Sequence, residues 1–378
     1  MRKLKLWSKE IWIIFCYCIG FLLSMFSSKK HWVLLERGAD ARDNGYFFYK
    51  YIKDKHPEQK VYYLIDRRSA DYPKVREDAV QIGSLKSYYL LASAKKLVSS
   101  HYASGLPIMS PKLFRLLGLH KKCYFLQHGI THNALPMLYG KVAPMQLFVC
   151  GAKPEYEFVK DTFGHKEGVV QYTGFARFDN LHDVVTKRQV LVMPTWRMYV
   201  TNEQEFLQSD YFKYWQDFLK NPKLVEALEC NEMDMIFYVH YGMQPYAQHF
   251  VSPSDRITIA RFNDYDVQTL LKESAVLITD YSSVFFDFAY MRKPVVYYQF
   301  DEDAFFGQHY QHGYFSYRNM GFGDVCVRTE EVVDSLLMII DNDLQLNERY
   351  AGRIDGFFPL YDRNNCQRIY KYIAGDRK

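Results

Sequence analysis

The sequence predicts an α/β protein built from two doubly wound, parallel-sheet domains. Three observations predict it. Short apolar runs recur along the chain and alternate with stretches of helical spacing, the pattern of repeated strand–helix–strand units. These runs number about a dozen, more than one open sheet usually holds in a chain of this size. The length, 378 residues, suits two domains of roughly 150 residues each. Hydrophobic residues at 48% and charged residues at 24% exclude global disorder. The net charge of +5 suits an anionic substrate or lipid headgroups and excludes a protein that coats nucleic acid. Aromatic residues at 17% fit large cores or a surface that touches membrane or carbohydrate. The seven cysteines are odd in number and contain no Cys-x-x-Cys pair, so they read as reduced, cytosol-facing thiols without a disulfide framework or zinc site.

The chain opens with Arg2, Lys3, Lys5 and Lys9, then an uncharged run from Ile11 to Phe26, closed by Lys29 and Lys30. As a helix this run spans about 24 Å, short of the ~30 Å hydrocarbon core of a bilayer. A secretory signal is disfavoured by the poor small-residue cleavage pattern and the free thiols. A short spanning or re-entrant helix requires Leu4 to Trp7 to extend the run. An interfacial anchor with basic flanks on anionic lipid fits the length best, and a buried core helix is the alternative that needs no membrane. Residues 1–30 are therefore expected as a membrane-associated helix.

From Trp32 the strands follow in order. WVLLE (Trp32 to Glu36) is a buried-strand run, DNGYFFYKYIKDK (Asp43 to Lys55) is a capped helix, and KVYYLID (Lys60 to Asp66) is the next strand. AVQIG, KLVSS, CYFLQ, QLFVC and VVQYT continue the series in the first domain, residues 31–186. QVLVM, MIFYVH, RITIA, AVLIT and PVVYY build the second, residues 187–359. The joint is expected between Asp183 and Gln189. Residues 360–378 read as a helix that returns to the first domain.

Polar motifs cluster where strands end, the position at which open α/β sheets bind ligands. After CYFLQ come His128, Gly129, Thr131, His132 and Asn133, and a histidine there can act as a general base near pH 7. After VVQYT, Arg177 is placed to hold a phosphate or to pair with Asp179. After QVLVM, Pro194-Thr195-Trp196-Arg197 offers Arg197 as a phosphate clamp. MIFYVH ends in His240. AVLIT ends in Thr279-Asp280, after which Ser282 and Ser283 open an apolar helix whose amides and hydroxyls suit phosphate oxygens, with Asp287 within reach of a ribose hydroxyl. Asp301-Glu302-Asp303 reads as a solvated acidic loop rather than a metal site.

Together these pieces resemble the CDP-glycerol glycerophosphotransferase family, the teichoic-acid primases and polymerases that move glycerol or ribitol phosphate. Gln127-His128-Gly129, Gly174 to Asp179, Pro194 to Arg197 and Ile278 to Ser283 carry the resemblance, followed by Phe286-Asp287 and Lys293-Pro294. Asp264-Tyr265-Asp266-Val267 and His312-Gly313-Tyr314-Phe315 match as well. The resemblance implies a GT-B fold, two Rossmann-like domains facing across a cleft. It implies that His128 is the catalytic base in an acceptor-binding first domain, with His240 a second catalytic residue in the second domain. The CDP-alcohol is then held by Gly129, Thr131, Arg177, Arg197, Thr279, Asp280, Ser282, Ser283 and Asp287, without a metal or other cofactor. The implied reaction is transfer of a polyol phosphate from a CDP-alcohol to a hydroxyl of a lipid-linked glycan or polyol-phosphate acceptor, with release of CMP. The implied place is the cytoplasmic side of the cell membrane, with no nucleic-acid partner and with self-association left open. A nucleotide-sugar glycosyltransferase of the same fold and a non-catalytic membrane partner of a polymer assembly complex are the rival readings.

Overall fold

A computed structural model describes residues 2–25, 31–102, 108–261, 264–308 and 312–375. Phe26, Lys29 and Lys30 of the predicted N-terminal segment lie outside these residues, as do the side chains of residues 2–9. The chain forms two units. The first comprises residues 1–131, 135–180 and 360–378, and the second residues 132–134 and 181–359.

The first unit carries β1 (Trp32–Leu35), β2 (Val61–Ile65), β3 (Ala79–Gln81), β4 (Lys96–Ser99), β5 (Cys123–Phe125), β6 (Leu147–Cys150) and β7 (Val170–Tyr172). They pair in the order β3-β2-β1-β4-β5-β6-β7, every pair parallel. The second unit carries β8 (Lys187–Met193), β9 (Asp234–Phe237), β10 (Ile257–Ile259), β11 (Ser274–Thr279), β12 (Val295–Tyr298) and β13 (Gly323–Cys326). Their order is β10-β9-β8-β11-β12-β13, again all parallel. Both sheets thus follow the doubly wound order of Rossmann-type domains, and the predicted fold class is present. Every residue of β1, β6, β11 and β12 is buried, because helices cover both faces of such a sheet. In each sheet the winding reverses beside the first strand, between β1 and β4 and between β8 and β11. Loops leaving the carboxyl ends diverge there and leave a crevice.

Three helices of the first unit matter below: α1 (Arg2–Ser24), α2 (Asn44–Lys55) and α3 (Leu85–Ser93). Along α1, Ile13, Tyr17, Gly20 and Ser24 recur at helical spacing and are buried with Cys16 in the core of the unit. Gly20 allows the close approach: a Cβ there would stand 2.7 Å from Tyr89 Cα on α3. The opposite face is apolar and open, with Trp12 58% and Phe15 55% exposed, beside Ile11 and Leu22. In place of a separate N-terminal segment, the described part of α1 has one face in the core of the first unit. Among the described residues no helix is long and apolar enough to cross a membrane.

The helix Asn365–Ala374 completes the first unit. The Asp179 carboxylate accepts from the Asn365 and Cys366 amides, each at 2.9 Å, and Ile369 and Ile373 are buried beneath it. Asp179 is thus a helix cap rather than the partner of Arg177. A matched pair of lysines ties helix ends to the sheets. Lys122, just before β5, donates to the carbonyls of Leu91, Ala92 and Ala94 at the end of α3. Lys293, just before β12, donates to those of Leu271, Lys272 and Ser274 at the end of the helix Val267–Glu273. In both cases an ammonium group satisfies carbonyls that the helix itself leaves unpaired.

Candidate active site

In the first unit the chain leaves β5 and turns sharply at Gln127, whose φ of 60° lies in the left-handed region that a residue with a Cβ adopts only at a cost. Buried polar bonds hold it there. The Gln127 side chain donates to the Val149 carbonyl at 2.7 Å and to Glu155 at 2.8 Å, and accepts from the Thr131 hydroxyl at 2.8 Å. Glu155 also accepts from the Thr131 and Gly151 amides. Burial raises the Glu155 pKa to about 7, opposed by these donated bonds. The predicted phosphate ligand Thr131 is therefore buried and committed at both its amide and its hydroxyl, and its role is to lock the loop.

That lock throws His128 outward, exposed, with Gly129 half-exposed behind it. One ring nitrogen of His128 donates to the Ser100 carbonyl, which leaves the other with its lone pair. Ser100 is itself pinned, since its hydroxyl accepts from the Gly45 amide at 2.7 Å. Desolvation by the surrounding walls, and then the charges of Arg177 and Arg37, hold the His128 pKa well below its ordinary value. The ring is neutral at pH 7, as a base must be. Arg177 is buried, with Nη1 3.1 Å from Asp43 Oδ1 and its guanidinium over the Phe175 ring. It supplies charge to the His128 environment through a structural ion pair, which corrects its expected place among the donor-phosphate ligands.

Two residues at this site stand outside the sequence-level reading. Glu36, at the end of β1, is buried and accepts from the amides of Arg42, Asp43 and Tyr46, which shapes the loop into α2. Burial, and then the nearby Asp43 carboxylate, raise its pKa. His101, two residues past β4, lies flat against His128 with ring centroids 4.5 Å apart and planes 10° from parallel. A strand that ends in an acid, or in Ser-His beside the winding reversal, is the signal that could have found them.

In the second unit the ends of β8, β11 and β12 meet around Arg197, whose side chain is 0% exposed. Its Nε and Nη2 contact the two oxygens of Asp301 at 2.7 and 2.9 Å, Nη2 lies 2.9 Å from Asp280, and Nη1 donates to the Thr195 carbonyl at 2.7 Å. The rings of Tyr211, Tyr281 and Phe305 surround the guanidinium. An arginine so saturated has no fork left for a phosphate, so the expected clamp is instead a buried strut. Asp301 is accordingly a buried ion-pair partner rather than a residue of a solvated loop. Asp280 is enclosed too: it accepts from the Thr195 and Tyr281 amides at 2.8 and 2.6 Å, and burial raises its pKa against the pull of Arg197. Thr279 is buried and donates to the Met193 carbonyl, and Asp287 is buried within the helix Val284–Tyr290. Of these three side chains, all expected at the ligand, Asp280 and Thr279 tie the ends of β8 and β11 together.

Ser282 and Ser283 remain half-exposed at the carboxyl end of β11, and Ser283 makes no side-chain cap bond to its helix. Thr195 has a buried hydroxyl with no hydrogen-bond partner. His240 accepts from the Gly242 amide at Nδ1, which puts the proton of the neutral ring on Nε2, and it lies beside Trp196 with ring planes 18° apart. His132 and Asn133, which share a motif with His128, belong instead to the second unit, where His132 is buried against Phe285, Phe286 and Phe315. Among the described residues no group of three or more His, Cys, Asp or Glu side chains is placed to hold a metal ion.

The arrangement matches known proteins along almost its whole length. Residues 19–375 match the family model for CDP-glycerol:poly(glycerophosphate) glycerophosphotransferase. The minor teichoic acid biosynthesis protein GgaB of Bacillus subtilis is 31% identical over 94% of this chain. The teichoic acid poly(glycerol phosphate) polymerase of the same organism is 24% identical over 86% of it. The chain spans less than half of these relatives, 41% and 46% of their lengths. The solved structure of the wall teichoic acid polymerase TagF superposes with a TM-score of 0.69 at 16% identity, covering 99% of both chains, which is a likeness of fold.

Proposed function

Because the chain belongs to the CDP-glycerol:poly(glycerophosphate) glycerophosphotransferase family, we propose that it transfers a polyol phosphate from a CDP-alcohol to a hydroxyl of a lipid-linked acceptor. Glycerol phosphate is the first candidate for the transferred group and ribitol phosphate the second, in synthesis of a teichoic-acid-type polymer. The acceptor oxygen attacks the phosphorus that bears the polyol, the bridging P–O bond breaks, and CMP leaves. His128 takes the hydroxyl proton on its unbonded ring nitrogen. His240, with its Nε2–H, and the Ser282 and Ser283 hydroxyls neutralise charge on the donor and departing phosphates, where fixed donors contribute most to phosphoryl transfer.

The observation that carries this reading is the preparation of His128. It is neutral, aimed by the Ser100 carbonyl, and held outward on a strained residue by a buried polar network, an expense that packing alone does not explain. The test offers the purified protein a synthetic lipid-linked acceptor with CDP-glycerol, CDP-ribitol or UDP-sugars. CMP release and a mass gain of one polyol phosphate support the reading. UMP- or UDP-releasing glycosyl transfer, or no turnover with any CDP-alcohol, contradicts it.

The open face of α1 supports a peripheral place on the membrane. Trp12 and Phe15 are of the kind that seat at the headgroup level, while the inner face of α1 is fixed in the protein core. A cytosolic CDP-alcohol and a lipid-linked acceptor then meet at the cytoplasmic face.

A further inference from the structure

The winding reversal of the first sheet opens between β1 and β4, and Ser100 and His101 follow the end of β4 there. We propose that His101 is a positioning residue for His128, its imidazole lying flat against the base and fixing the plane of that ring. This rests on the reading of His128 as the base.

His128 is exposed, and its bond to the Ser100 carbonyl restrains one atom of the ring without setting the ring's rotation. A face contact supplies the second restraint. The His101 ring, 4.5 Å away and within 10° of parallel, gives that contact from the neighbouring strand end. His101 is held in turn by its backbone, whose amide donates to Ser99 Oγ at 3.1 Å. Its Nδ1 is buried and has no hydrogen-bond partner. A buried ring nitrogen without a partner is a cost, so what the site uses is the ring face rather than a polar bond.

The charges around the pair agree. The groups that act on His101 are His128 and Arg37, and those that act on His128 are Arg37 and Arg177. Arg37 is paired with Asp40 and Arg177 with Asp43. Desolvation, His128 and Arg37 lower His101 further than His128 is lowered, so a proton taken by the pair resides on His128. When His128 receives the acceptor proton, its imidazolium faces a neutral π system instead of a second cation.

The test compares the full-length parent with His101→Ala and His101→Phe. Alanine removes the stack and admits water. Turnover should fall about ten- to a hundredfold, with the KM for CDP-glycerol within about twofold of the parent. Phenylalanine restores the flat contact without a titrating nitrogen and should recover turnover to within about threefold. NMR titration of the His128 ring, without substrate, is the readout that no general loss of structure imitates. Its pKa should rise toward the ordinary value near 6.5 in His101→Ala and stay near the parental position in His101→Phe. An unmoved His128 titration in folded His101→Ala overturns the proposal, as does a phenylalanine variant no better than alanine. If alanine does not fold, the phenylalanine variant decides, because a loss of turnover or a shifted titration there is fatal to the idea. If the parent turns over no CDP-alcohol, the functional reading fails, while the titration still judges the stack.

Discussion

Replacing Arg197 by Met keeps a long side chain in its aromatic enclosure and removes the cation that faces both Asp280 and Asp301. All three side chains are essentially enclosed, so two carboxylates lose their partner where water cannot replace it. Breaking a buried ion pair from one side costs roughly 3–5 kcal/mol. For a unit the size of residues 181–359, each kcal/mol shifts the melting point by about 2–4 °C, so a fall of roughly 6–20 °C is expected. Arg197→Lys should fall in between, since one ammonium cannot bridge two carboxylates and the Thr195 carbonyl. The loss also depends on pH with a definite sign. Burial already raises the Asp280 carboxyl, and without the opposing pull of Arg197 it rises further. The variant is then closest to the parent at low pH and falls away as pH rises through the folded-state value of Asp280. Calorimetry at pH 5 and pH 8 reads both effects. If Arg197→Met melts within about 2 °C of the parent while CMP release drops about a hundredfold, Arg197 is a phosphate ligand after all and the strut assignment is wrong.

Other expectations are simpler to read. Ser282→Ala and Ser283→Ala should lower CMP release with melting points unchanged, because both side chains are half-exposed and Ser283 makes no cap bond, and a drop in stability would move them into the structural group. His128→Ala should cost about 10²–10⁴ in turnover while the fold stays intact, and near-parental turnover at equal stability removes it from the mechanism. Because desolvation by the surrounding walls, Arg177 and Arg37 all lower His128, the acid limb of kcat/KM should lie well below pH 6.5, and a limb at or above 6.5 would show a different titrating group. Trp12→Gln with Phe15→Gln should weaken flotation with anionic vesicles at unchanged melting temperature. Ile13→Asp, on the buried face of the same helix, should instead destabilise the protein.

The fold was legible because strands covered on both faces must be apolar throughout, and such runs stand out even when only four residues long. The exception is β13, whose Gly323 and Asp324 carry no strand signal. Gly323 is required there by proximity, as a Cβ would collide with the Val295 carbonyl oxygen. The candidate site was legible as a set of positions, the ends of β5, β8 and β11, but less so as a set of roles. Arg197, Asp280 and Thr279 look like ligands in one dimension because a charged residue after a strand points toward a crevice in most α/β proteins. What spacing cannot reveal is that Asp301, more than a hundred residues later, arrives to neutralise the arginine. His101 was hidden for the converse reason: it sits in a run with no motif, and its significance is a contact with another strand.

The first unit is interrupted in the chain by the second, and this has a consequence for synthesis. Strands β1 to β7 leave the ribosome early, yet the helix Asn365–Ala374 that seals them follows only after residues 181–359 have been made. At about 5–20 residues per second that is a delay of roughly 10–40 s. Through that interval the surface awaiting Ile369 and Ile373, and the Asp179 carboxylate awaiting its two amides, stay open while a complete second unit folds downstream. Nascent chains stalled within the second unit should therefore carry a sticky, unfinished N-terminal sheet that chaperones hold, and lesions in the last helix should be felt first at Asp179, which caps it, and at Trp32, whose ring centroid lies 5.4 Å from that of Tyr370.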